Sequence, residues 1–276
     1  MEKSQDRLQV IENIKKSEAE GRFNDTVEND PPTITLMPDK VDYLNEKLGS
    51  KIKTKIANKM ATKFYETLIK NGQFIIKEVK GMENFTSVQG GAIITCNHFN
   101  ACDNYAVYRV IKSHMGKRKL YKVIREGNYT NFPGPIGFFF KHCNTLPLSS
   151  NSETMKKFMV AVRTLLERGE KILIYPEQAM WWNYRKPRPL KDGAFRFAFT
   201  NNVPVIPVFI TMEDTETIGQ DGFPIQAYTV NFLEPIYPDM SLSKKDNIEM
   251  LKNKNYEVWV KTYEEFYNKK LTYENE

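Results

Sequence analysis

Cysteine and histidine are scarce in this chain, with three of each among 276 residues. Cys96, Cys102 and Cys143 show no CxxC spacing, and an odd, sparse count excludes a disulfide framework and a zinc ribbon. A reducing, cytoplasmic setting is expected. No run of ~18 apolar residues occurs, so no membrane-spanning helix is expected. The stretch MEKSQDRLQVIENIKKSEAEGRFND lacks the apolar centre of a secretion signal. Internal repeats, low-complexity tracts and recognisable nucleic-acid-binding modules are also missing, which sets nucleic acid aside as a partner.

What is present is a basic charge distributed unevenly. Residues 1–34 carry eight acidic and five basic side chains, and the excess of positive charge lies further on. Lys51, Lys53, Lys55, Lys59, Lys63 and Lys70 face only Glu66, and Lys112, Lys117, Arg118, Lys119, Lys122 and Arg125 follow one another without an acid. Such stretches suit anionic headgroups, the phosphates of coenzyme A or an acidic carrier protein. For any single lysine, solvated surface is the plainer reading.

Residues 1–44 read as a polar N-terminal extension with a break at Pro31-Pro32 and a short helical stretch near Leu8–Ile14. From 45 to 72 the residues Leu48, Ile52, Ile56, Met60, Phe64 and Leu68 recur every fourth position, the pattern of an amphipathic helix that Asn71-Gly72 ends. Its apolar stripe suits either a bilayer interface or packing on its own domain. Over 73–276, β-rich runs (74–79, 92–96, 120–124, 145–148, 172–175, 205–210, 228–232) alternate with helical stretches (103–114, 153–168, 192–200, 246–270). This alternation predicts an α/β domain, a largely parallel β-sheet flanked by helices. In such sheets, sites collect at the carboxyl ends of strands.

The run Ala92-Ile-Ile-Thr-Cys-Asn97-His98-Phe-Asn-Ala-Cys-Asp103 empties a buried strand into a polar turn and then a helix. His98 thus sits at a strand's carboxyl end, where a neutral imidazole can take a proton from an attacking hydroxyl or amine. Asp103, five residues on, can reach the other ring nitrogen and fix its tautomer. A His–Asp pair at this spacing arises readily by chance, so the strand before it and the helix after it carry the weight. His114 and His142 have no such partner.

Four blocks in one order resemble the glycerolipid acyltransferases typified by lysophosphatidic acid acyltransferase, over about 74–232. NHFNACD (97–103) matches their NHxxxxD, and FPGPIGFFFKHCNTLPLSSNS (132–152) is similar to their glycine-aromatic segment and the strand that follows it. ILIYPEQAMWWNYRKPRPLKDGAFRFA (172–198) is similar to "FPEGTRS…FKKGAFRLA", and NNVPVIPVFI (201–210) to the next short strand. The likeness departs at two acceptor-binding arginines, which fall here on Ser150 and Met180. Serine cannot clamp a phosphate bidentately as a guanidinium does. The family's Gly-Thr-Arg becomes Gln178-Ala179-Met180.

The resemblance implies a glycerol-phosphate-acyltransferase-like fold and an acyltransferase of phospholipid biosynthesis. His98 would be the general base and Asp103 its orienting carboxylate. Asn97, Ser150, Glu177, Gln178, Arg185, Lys186 and Arg188 would be the substrate-binding residues, the last three supplying phosphate contacts from nearby. The donor would be acyl-CoA or acyl carrier protein and the acceptor a lysophospholipid hydroxyl, or an amine, a sugar or a specialised hydroxyl if phosphate is not read. No cofactor or metal is implied, and a peripheral membrane location through the 45–70 helix is expected. Bland alternatives stand beside these: 132–140 as a tight piece of core, Glu177 as a loop carboxylate, and a silent lipid- or carrier-binding scaffold.

Overall fold

The computed structural model describes residues 2–30 and 32–273, so Pro31 of the expected break lies outside the described residues. The helices of the first part are α1 (Gln5–Ala19) and α2 (Leu48–Lys70), followed by β1 (Ile75–Lys80), α3 (Met82–Thr86), β2 (Ala92–Cys96) and α4 (Asp103–Ile111). Then come β3 (Leu120–Ile124), α5 (Glu126–Asn131), α6 (Gly134–His142), β4 (Thr145–Pro147), α7 (Ser152–Glu167) and β5 (Lys171–Ile174). The chain closes with α8 (Gly193–Thr200), β6 (Val205–Ile218), β7 (Pro224–Phe232) and α9 (Lys244–Tyr267).

The seven strands form one sheet in the order β1-β7-β6-β2-β5-β3-β4. β6, β2, β5, β3 and β4 run parallel, whereas β7 pairs antiparallel with β6 and carries β1 beside it in its own direction. The sheet is therefore largely parallel, as the alternation of strands and helices predicts. β2 lies at its centre with all five residues buried, because Ala92, Ile93, Ile94 and Cys96 meet apolar side chains on the two faces and Thr95 donates its hydroxyl to Asn255 Oδ1 at 2.6 Å. One face packs on α7, α8 and α9 through Phe158, Leu165, Phe195, Leu251 and Trp259. The other packs on α3 and α4 through Phe85, Tyr105, Val107 and Ile111. Helices on both faces leave the strands' carboxyl edge open for loops.

Local chemistry explains several boundaries. Asn151 caps α7 by accepting from Thr154 N at 3.0 Å, and Gly169, at φ +80, takes the left-handed position that ends it. Three helices are absent from the sequence reading, α3, α5 and α6; the Phe-Pro-Gly-Pro-Ile-Gly run (132–137) that leads into α6 reads as a tight turn. The antiparallel β6–β7 hairpin is likewise a departure from a fully parallel sheet. Its five-residue loop closes on Gly219 N–H donating to Phe223 O at 2.8 Å, with Gly222 at φ +80.

α2 has its apolar stripe on the outside. Leu48, Ile52, Ile56, Met60 and Phe64 are exposed, while Thr54 and Ala57 are buried and Tyr65, Leu68 and Ile69 pack against the α3/α4-side core. The helix thus docks by small residues and by its C-terminal turn. α1 packs Val10 and Ile14 against Trp181 and Trp182 of the loop that follows β5. No helix among the described residues is long and apolar enough to cross a membrane.

Candidate active site

The loops after β2 and β5, neighbours in the sheet, meet at the carboxyl edge. β2 delivers Asn97 and His98 there, and α4 begins with Asp103, whose side chain is fully buried. Asp103 Oδ2 accepts from His98 Nδ1 at 2.7 Å, and from the backbone N–H groups of Phe99 at 3.2 Å and Asn100 at 3.3 Å. An ionised carboxylate only accepts, so Nδ1 bears the proton and Nε2 is left as the basic nitrogen. No other protein hydrogen bond engages the imidazole among the described residues, and its side chain keeps 22% exposure. The pair is a buried acid holding a half-open base.

Tyr175, one residue beyond β5, completes the cluster. Its hydroxyl donates to Asp103 Oδ1 at 2.5 Å, and its ring stacks on the His98 imidazole with centroids 3.9 Å apart and planes 17° from parallel. Burial, aided by the Asp103 charge, pushes the Tyr175 phenol well above its ordinary value, so it stays a donor.

Glu177 is buried and accepts from three donors: His98 N–H at 3.0 Å, Arg188 N–H at 2.8 Å and Arg188 Nη2 at 3.0 Å. Arg188 also donates to Ala179 O and to Phe23 O at 3.2 Å, and lies 4.6 Å over the Trp181 ring. Trp181 N–H donates to His98 O at 3.1 Å, and its indole N–H to Asp25 O at 2.9 Å. The backbone on both sides of His98 is thereby tied to the 177–188 loop, which is itself tied to the N-terminal segment.

The other sequence candidates separate. Asn97 is buried and turned into the sheet, donating to Ile210 O at 3.0 Å and accepting from Ile210 N at 2.8 Å. Gln178 is exposed with φ +68, a conformation that suits the glycine of the resembling block. Arg185 pairs with Asp214 at 2.7 Å, and Lys186 with Glu18 at 2.6 Å. Arg188, at 1% exposure, is held in the Glu177 ion pair and does not face solvent, so it is not placed to meet a phosphate as the sequence reading expects. Ser150 N–H donates to both Glu126 oxygens at 3.1 Å, and Leu36 N–H reaches the same carboxylate at 2.7 Å. Tyr175 and Trp181 are the residues that sequence reasoning misses. The signal for Tyr175 is its place at the end of a strand adjacent to the one bearing His98.

Residues 77–211 match the family model described as Acyltransferase, a span that runs from within β1 to the middle of β6 and holds every residue of the His98 cluster. The chain carries an acyltransferase domain. Among solved structures, the 1-acyl-sn-glycerophosphate (LPA) acyltransferase PlsC from Thermotoga maritima is similar, with 18% identity over 76% of this chain and 80% of that one and a TM-score of 0.46. No curated protein matches the sequence. The protein is an acyltransferase, and the His98 cluster is the constellation in its matched domain suited to general-base chemistry.

Proposed function

We propose that this acyltransferase moves a fatty acyl group from an acyl thioester, acyl-CoA or acyl carrier protein, to a lipid hydroxyl, with His98 as general base. The observation that carries the reading is the 2.7 Å contact of Asp103 with His98 Nδ1, which leaves Nε2 open at the carboxyl edge of the sheet. His98 Nε2 takes the acceptor's hydroxyl proton as its oxygen attacks the thioester carbonyl. The tetrahedral intermediate collapses with loss of the thiolate, which recovers the proton from His98, so that ester and free thiol are released and the base is regenerated. Asp103 stabilises the imidazolium in between. His98→Ala is expected to lower acyl transfer by at least roughly a hundredfold while leaving the melting temperature unchanged. Wild-type turnover in that folded variant sinks the assignment.

The acceptor named by the family likeness is a lysophospholipid such as lysophosphatidic acid. A second acceptor class, without a phosphomonoester, is favoured by the fate of the cations: Arg185, Lys186 and Arg188 are each paired with a carboxylate, and Ser150 and Met180 stand where the family has arginine. A phosphate held by those three would have to displace Asp214, Glu18 or Glu177. Labelled acyl-CoA or acyl carrier protein offered with lysophosphatidic acid, a neutral monoacyl lipid, an amine and a sugar separates the classes. Acyl transfer to lysophosphatidic acid alone rejects the second class. Thiol release with no acceptor present points instead to a thioesterase.

The outward stripe of α2 supports docking at a membrane surface, where a lipid acceptor resides. Its five exposed apolar residues are flanked by six exposed lysines, and each lysine near an anionic surface contributes about 1 kcal/mol. The acyltransferase would then act as a peripheral enzyme of phospholipid synthesis.

A further inference from the structure

The geometry points to Tyr175 as a positioning residue that fixes the His98–Asp103 pair through two contacts of one side chain, its hydroxyl on the carboxylate and its ring on the imidazole. This rests on the reading of His98 as general base.

The two oxygens of Asp103 are served unequally. Among the described residues, Oδ2 takes three donors, from His98 and the backbone of Phe99 and Asn100, whereas Oδ1 takes the Tyr175 hydroxyl alone. Without that hydroxyl, a fully buried carboxylate oxygen has no partner, and the carboxylate plane is held from one side only. The stacked phenol ring meanwhile blocks rotation of the imidazole about its Cβ–Cγ bond, keeping Nδ1 on Asp103 and Nε2 outward. Tyr175 is itself anchored. It is followed by Pro176, and its carbonyl accepts from Gln178 N at 3.0 Å, closing the turn out of β5. The block that this segment resembles has phenylalanine at the place, which offers the ring without the hydroxyl.

The groups around the pair make the electrostatic sign definite. Cys96 on β2, Cys102 before α4, Tyr65 on α2 and Tyr228 on β7 are all pushed upward by burial and by the Asp103 charge, so they remain neutral through neutral pH. Glu177 faces His98 from the loop after β5 but is balanced by Arg188. The charge that His98 senses is therefore that of Asp103, part of which the Tyr175 hydrogen bond draws off. Removing the hydroxyl concentrates that charge toward His98 and stabilises the imidazolium, so the base is protonated at higher pH.

The test uses the full chain with Tyr175→Phe, which keeps the stack, and Tyr175→Leu, which removes both contacts. With three histidines, the ring protons of His98 are assigned in the NMR spectrum by their loss in His98→Ala. In Tyr175→Phe the titration midpoint of His98 is expected to rise by roughly half a pH unit or more, with the acid limb of kcat/KM moving alongside. For transfer from a long-chain acyl-CoA, kcat is expected to fall on the order of tenfold with KM unchanged, and further in Tyr175→Leu. An unmoved His98 midpoint and unmoved acid limb in folded Tyr175→Phe overturn the proposal, as does a loss confined to KM. Should Tyr175→Phe not fold, Tyr175→Leu with a wild-type His98 titration overturns it equally. Full activity in His98→Ala instead removes the general-base reading on which it stands.

Discussion

At the scale of single residues, the site is organised by carboxylates with different tasks. Asp103 orients an imidazole, whereas Glu177 accepts the N–H of the residue that bears it and neutralises Arg188 in the same buried place. The two roles of Glu177 separate by mutation. Glu177→Ala leaves the Arg188 cation buried without a counter-ion and is expected to cost about 3–5 kcal/mol of stability, read from the urea midpoint. The double change Glu177→Ala with Arg188→Met removes that charge and is expected to recover most of the loss, since an apolar side chain of similar length replaces a buried ion. Acyl transfer is expected to stay low in the double variant, because His98 N–H still lacks its acceptor. Recovery of turnover together with stability shows Glu177 to be a scaffold group only. The importance of this glutamate is legible in the sequence, but its partners are not: Arg188 lies eleven residues on, across a loop with no periodicity, and its buried cation reads from sequence as a phosphate contact.

Among the elements, those made of buried β-rich residues are the most legible. β2 and β3 coincide with the sequence reading because Ala-Ile-Ile-Thr-Cys and Leu-Tyr-Lys-Val-Ile leave few alternatives between turns. α6 is missed because glycine and proline disfavour a helix locally, and tertiary contacts with α2 and the ring pairs Phe132–Phe140 and Phe138–His142 override that preference. The reversal at β6–β7 is not part of the sequence reading, since the polar second half of β6 and the five-residue loop around Asp221-Gly222 interrupt the apolar pattern, and the alternation of strand and helix hides it. α2 shows what periodicity leaves open: a four-residue repeat finds the stripe but not the side it faces. Its outward face has a measurable consequence. Ile56→Glu with Met60→Glu is expected to weaken sedimentation with anionic phospholipid vesicles by at least roughly tenfold, since each change removes a side chain whose burial contributes about 1.5–3 kcal/mol. Turnover of a water-soluble acceptor is expected to remain. Unaltered vesicle binding by the folded variant assigns the stripe another occupant.

Across the whole molecule, the N-terminal segment and the His98 loop form one continuous set of contacts. α1 seats Val10 and Ile14 on Trp181 and Trp182; Asp25 and Phe23 accept from Trp181 and Arg188; and these in turn hold His98 O and, through Glu177, His98 N–H. Lys186 with Glu18, an ion pair with both partners mostly covered, adds to the same seam. A stretch that reads from sequence as a polar N-terminal extension thus abuts the loop that shapes the site. Val10→Asp with Ile14→Asp places two charges in this small apolar cluster and is expected to undock α1 without disturbing the sheet, whose two cores exclude both residues. Trp181 and Trp182 then meet water while Trp259 stays in the α9 core, so tryptophan emission is expected to shift red while the far-ultraviolet dichroism of the strands and remaining helices persists. If the seam positions His98, kcat falls with the emission shift, by roughly tenfold or more, as expected when a base is held out of place. A red-shifted, folded variant with wild-type kcat limits α1 to a cover for the tryptophans, and the alignment of His98 then rests on Asp103, Tyr175 and Glu177 alone.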